Sequence, residues 1–184
     1  FEHLGNLGVY VLDRGFCSEN RMKFLGNQGF SFVLRSQKRS VCVDGHEVNL
    51  FDWANDLTLP YSVMIERIRN GEMKREMAWH CVREIFIDGD PYRAVVMQIE
   101  GHGIAVLITN IAIGAMKHAT FGEKIIHLYG FRWSIEEMIR FQKDVFDIED
   151  VRVRSITALE NFMMVVMIAT AFLSHFLASH VKIT

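Results

Sequence analysis

The chain has 184 residues, 50% of them hydrophobic and 23% charged, which is long enough to bury a sizeable core and too apolar for a disordered segment. A formal net charge of −2 excludes a general nucleic-acid binder coated in basic side chains, so any such contact must use a local patch. Three cysteines, Cys17, Cys42 and Cys81, have no CxxC spacing and fit a reducing compartment better than a disulfide framework.

In chain order, Phe1–Gly8 carries no charged stretch followed by an apolar core, so no secretory signal is expected, and the start reads as cut off. Val9–Leu12 is a short apolar run that stops at Asp13, as a buried strand ending in a turn would. Ser18 is placed to cap a helix running through Asn20 to Leu25 and ending at Gly26 or Gly29. Phe30–Arg35 reads as the next strand. From Asp13 to Arg39 six basic residues (Arg14, Arg21, Lys23, Arg35, Lys38, Arg39) face two acids, a local positive patch that serves either DNA or solubility.

Residues 41–101 are rich in β signals. They hold Asp44-Gly45 and Asp88-Gly89 turns and strand-like runs at Glu84–Ile87 and Arg93–Ile99, with one possible helix near Tyr61 to Arg69. Ile104–Thr109 reads as a central strand, and a helical region follows from about Ala112 to Val145, with a break expected at Gly122 or Gly130. Eight histidines are scattered, and neither Trp79-His80-Cys81 nor Gly101-His102-Gly103 has a partner at metal-ligand spacing.

Within that helical region Tyr129, Arg132, Glu136 and Lys143 stand at offsets of three, seven and fourteen. At roughly 100° per residue they share an arc of about 60° on one helix face, spread along roughly 21 Å. A phenol, a guanidinium, a carboxylate and an ammonium in one row suit an acid that binds metal beside groups that grip a phosphate backbone. The blander reading is a solvated face, on which Glu136 with Arg132 or Arg140 makes an ordinary i,i+4 pair worth about 0.2–0.5 kcal/mol. Trp133 beside the row is read as a core anchor and left out of the site.

The spacing Tyr-x2-Arg-x3-Glu-x6-Lys, with Arg132-Trp133-x-Ile135-Glu136-Glu137, resembles the helix carrying the final acid in bacterial insertion-sequence transposases of the DDE type. Val11-Leu12-Asp13-Arg14-Gly15-Phe16 resembles the turn after the strand that carries that family's second catalytic aspartate, and Leu107–Asn110 is similar to the strand end before the signature helix. The order of these landmarks covers most of the chain. The resemblance implies an α/β, ribonuclease-H-like fold, partial because its first strands are lacking, with residues 41–101 as a β-rich insertion between the second and third catalytic acids of one partial catalytic domain spanning 1–184. It implies Asp13 and Glu136 as catalytic residues and ligands of a two-ion Mg²⁺ site, and Tyr129, Arg132 and Lys143 as contacts to DNA phosphates. It further implies double-stranded DNA as partner, at transposon inverted-repeat ends and target, a homodimeric active assembly, no membrane, and a cytoplasmic location on the bacterial nucleoid. The family's first aspartate is expected upstream of Asp13, where Phe1–Gly8 is too short to hold its strand and Glu2 cannot replace it, so the span is expected to be inactive alone.

Other classes compete. Phe162–Ala178 is seventeen residues without a formal charge, which is a short membrane anchor or, as preferred here, a buried core helix with Met163, Met164 and Met167 as packing residues. Thr170, Ser174 and His175 give it a polar stripe. A catalytically dead DNA-binding remnant and an unrelated metal-dependent nuclease are the remaining readings.

Overall fold

The computed structural model describes residues 8–69, 72–146 and 155–180. The expectations attached to Phe1–Leu7, Glu2 among them, and to the side chains of Trp133 and Ser174 lie outside the described residues. By compactness the chain divides into two units, Phe1–Trp133 and Ser134–Thr184.

The first unit is built on a mixed sheet in the order β1-β2-β8-β7-β6-β3-β4, with β5 paired to β6 off this path. Its strands are β1 (Val9–Leu12), β2 (Ser31–Arg35), β3 (Ser40–Val43), β4 (His46–Asn49), β5 (Tyr61–Arg69), β6 (Glu72–Ile87), β7 (Asp90–Ile99) and β8 (Ile104–Thr109). Three helices belong wholly or partly to it: α1 (Glu19–Asn27), α2 (Leu50–Asn55) and the start of α3 (His118–Phe146). The β1–β2 pair is parallel, as a crossover through α1 requires, and the other pairings are antiparallel.

Side-chain alternation along the strands separates two apolar layers. Phe32 and Leu34 of β2, Ile85 and Ile87 of β6, and Val106 and Ile108 of β8 pack with Met22 and Leu25 of α1 and with Leu50 and Ala54 of α2. The opposite face, with Val33, Val95, Met97 and Leu107, packs against Phe121, Ile125, Ile126 and Tyr129 of α3. Each such apolar side chain contributes about 1.5–3 kcal/mol when fully withdrawn from water. The sheet is therefore covered on one face by α1 and α2 and on the other by the first half of α3.

Local signals explain the element ends. The Ser18 hydroxyl accepts from the Arg21 amide at 3.4 Å and starts α1, while Gly29 at φ 73° lets the chain leave it for β2. Asp44-Gly45 and Asp88-Gly89 both take positive φ, and the registers Val43↔His46 and Ile87↔Asp90 make each a two-residue hairpin turn whose twist matches its strands.

Two expectations are corrected. Tyr61–Arg69 is a strand rather than a helix, paired with β6 from Tyr61↔His80 to Arg69↔Glu72. Its Val63 and Ile65 are buried and Met64 between them is exposed, a period of two on β-branched residues, so pairing overrides the helical spacing. The region after β8 is not helical until His118, and α3 then runs 29 residues through Gly122 and Gly130 without a break. The cost of a helical glycine, about 1 kcal/mol, is offset at Gly122 by close packing against β6.

The second unit holds the end of α3 and α4 (Ile156–His180). Val166 and Thr170 are buried, whereas Met164, Val165, Met167, Ile168 and Phe172 are each more than 60% exposed. The expected buried core helix is thus corrected to one packed along a single stripe, with Met164 and Met167 facing outward.

Candidate functional site

β1 delivers Asp13. The residue keeps extended geometry (φ −82°, ψ 171°) beyond the last paired residue Leu12, then opens a single 3-10 turn, Arg14–Phe16, in which the Phe16 amide donates to the Asp13 carbonyl at 3.0 Å. Because Val11 lies on the α3 face of the sheet, alternation sends Asp13 out on that face too. Its carboxylate is exposed and makes no capping hydrogen bond. The turn is braced from both sides: Arg21 donates to the Gly15 carbonyl at 2.7 Å, and Gln37 donates to the Arg14 carbonyl at 2.9 Å.

Across the sheet, Asn110 follows β8 and locks it to β2. The Phe32 amide donates to Asn110 Oδ1 at 2.9 Å, and Asn110 Nδ2 donates to the Phe30 carbonyl at 2.8 Å. Thr109 adds a hydroxyl donation to the Phe32 carbonyl at 2.5 Å. These bonds fix the strand that is hydrogen-bonded to β1, and sequence reading named Asn110 only as a landmark.

The four signature residues lie on one helix but in different surroundings. Tyr129 is 6% exposed, its ring in the core beneath α3 and its hydroxyl buried without a hydrogen-bond partner among the described residues. The Arg132 guanidinium lies over that ring at 5.6 Å from its centroid. Glu136 and Lys143 are exposed, in the part of α3 that belongs to the second unit. Tyr129 also lines a cavity of about 100 Å³ with Arg35, Met97, Leu107 and His102. Arg35 shares the α3 face with Val33, one strand over from Asp13, so the first unit presents Asp13, Arg35, Tyr129 and Arg132 on a single side of its sheet.

The positive patch is partly spent on internal contacts. Lys23 pairs with Asp88, Arg39 donates to the Cys17 carbonyl at 3.2 Å and lies 3.6 Å from Glu19, and Arg21 stacks over Phe16. Arg14 and Lys38 stay exposed. Of the cysteines, Cys81 is buried, and that burial pushes its thiol pKa up, so it packs rather than reacts.

For a divalent cation the donors are right in kind, since carboxylate oxygens are the hard ligands Mg²⁺ takes. They are short in number: among the described residues no three His, Cys, Asp or Glu side chains are grouped to hold a metal ion. Sequence reading weighed His80 only as a metal ligand and Gly122 only as a helix break, and missed that the two meet where α3 crosses β6. The available signal was a histidine alternating with Ala78 and Val82 on the apolar side of a strand.

A search of the curated proteins finds no match. Residues 1–172 match the family described as transposase DDE domain, over the span that contains both the Asp13 turn and the signature helix. The chain therefore belongs to the DDE transposase family, a family of enzymes that act on DNA.

Proposed function

We propose that this chain is the DNA-handling part of an insertion-sequence transposase with a ribonuclease-H-like core, in which Asp13 and Glu136 are two of the catalytic acids. The observation that carries the reading is the position of Asp13, an exposed carboxylate at the end of a strand on the sheet face packed by the first half of α3, where Tyr129 and Arg132 lie. Tyr129, Arg132 and Lys143 hold the phosphates of the transposon ends, fixing the backbone without reading bases. The partner is double-stranded DNA at inverted-repeat ends and at the target, in a homodimeric assembly on the bacterial nucleoid.

The proposed reaction is attack of a water or 3′-hydroxyl oxygen on a phosphodiester phosphorus, with loss of the proton from the attacking oxygen and cleavage of the bond to the leaving oxygen. Bound Mg²⁺ supplies charge stabilisation to both oxygens in such chemistry. Residues 1–184 offer two acids of the expected three, so we propose that they bind ends well and cut them poorly. The test is a duplex bearing the inverted repeats that flank the coding sequence, assayed for binding and nicking with Mg²⁺. Selective retention of that duplex over a scrambled one supports the reading, and equal affinity for both contradicts it.

A second reading has one specific observation in its favour. Ile156–Leu173 is long and apolar enough to cross a membrane, with a mean hydropathy of 1.8 and 11% of its residues buried. Recovery of the whole chain as a monodisperse species without detergent removes the anchor.

A further inference from the structure

His80 lies in the middle of β6, is 1% exposed, and faces α3 together with Ala78 and Val82. Its Nε2 is 3.2 Å from the carbonyl oxygen of Ala119 in the first turn of α3. A carbonyl has no proton to give, so Nε2 carries the hydrogen, and in the neutral ring that leaves Nδ1 as an acceptor. Nδ1 is buried and has no hydrogen-bond partner among the described residues. On its other side the ring meets Tyr61 of β5, with 5.6 Å between centroids.

Gly122 completes the arrangement. A Cβ built there would collide with Cδ2 and Nε2 of His80 and crowd Val82. The imidazole therefore sits in a notch that a missing side chain cuts into the helix, one turn after the carbonyl it donates to. A notch and a directional hydrogen bond together fix both the rotation and the axial position of α3, which apolar packing alone leaves free to slide.

We propose that His80 is a positioning residue for the signature helix: its neutral ring, keyed into the Gly122 notch and bonded to Ala119, sets the first half of α3 and with it Tyr129 and Arg132, and protonation of the ring releases that segment. A second N–H on Nδ1 would be a buried donor with no acceptor, and the added charge would be desolvated. Burial accordingly lowers the His80 pKa, against smaller opposing effects of the Ala119 carbonyl and Glu123. The groups around the ring are Tyr61 from β5, Met97 paired to it from β7, and exposed Glu123 from α3. None of them accepts a hydrogen bond from Nδ1.

The effect on DNA rests on the function proposed above, but the seating of α3 is measurable without DNA. Amide hydrogen exchange over residues 118–133 of the whole chain, corrected for intrinsic rates, reads it directly. In the wild type, protection should fall as pH drops below 6.5, by at most about tenfold per pH unit, the limit set by one proton taken up on release. His80→Gln, whose side-chain amide can still donate to Ala119 and does not titrate, should hold protection flat across that window. Equal pH dependence in the two proteins overturns the proposal. Should His80→Gln fold poorly, the second pair decides: Gly122→Ala alone should lose protection in this segment, and adding His80→Ala should restore part of it. Full protection in Gly122→Ala overturns the proposal as well. Inverted-repeat duplex affinity should follow protection in the wild type. Loss of protection with unchanged affinity would place the error in the DNA reading and leave the seating of α3 standing.

Discussion

Gln142 donates from Nε2 to the Thr170 hydroxyl at 3.1 Å, and both side chains are buried, so the signature helix is tied to α4 one residue before Lys143. Thr170 in turn donates to the Val166 carbonyl at 2.8 Å, which uses the hydroxyl as donor and acceptor at once. Away from water such a bond has few competitors, and breaking one side leaves the other unsatisfied.

Thr170→Val should therefore destabilise the second unit by about 1–3 kcal/mol, because the Gln142 amide is left buried without its acceptor. Adding Gln142→Met should recover most of the loss, since two apolar groups of similar size need no partner. Urea unfolding followed by helix circular dichroism checks both values.

Tyr129→Phe separates packing from phosphate contact. The hydroxyl is buried without a partner among the described residues, so its removal should leave stability unchanged or raise it by about 1 kcal/mol. End-duplex affinity should fall roughly tenfold or more if the hydroxyl donates to a phosphate when DNA is bound. Unchanged affinity would assign Tyr129 to the core alone.

Stability should also report His80. Its folded pKa lies below the ordinary 6.5, so the unfolded chain takes up the proton first as pH falls. Unfolding free energy should be level above that value, decline as pH drops below it, and level off again once the folded ring is protonated. Chemical denaturation at a series of pH values should show this decline in the wild type, with the His80 contribution absent from His80→Gln.

Much of the first unit was legible because local chemistry and tertiary pairing agree there. The Val9–Leu12 run, the Ser18 cap, both Asp-Gly turns and the Ile104–Thr109 strand stand where composition put them. Tyr61–Arg69 was misread because Tyr61, Ile65 and Ile68 recur at helical spacing, while the nine-residue ladder to β6 that decides the matter is a long-range contact. The Gly122 break failed for a similar reason, since a residue 42 positions earlier, His80, requires a glycine in an unbroken helix. Spacing put Tyr129 on the same arc as Glu136 and Lys143, but which part of that arc meets the sheet depends on α3 packing, and Tyr129 falls in the core. For α4, the run of apolar residues was visible and its degree of burial was not, because burial is set by neighbours rather than by composition.

The proposed division of labour, Glu136 for chemistry and Lys143 for the backbone of transposon ends, is decided by duplex binding between about 50 and 200 mM salt for the wild type, Glu136→Gln and Lys143→Ala. Glu136→Gln should bind the inverted-repeat duplex as the wild type does, whereas Lys143→Ala should bind more weakly, with a log–log salt slope shallower by about 0.9. A Lys143→Ala protein whose affinity and slope equal those of the wild type would contradict it.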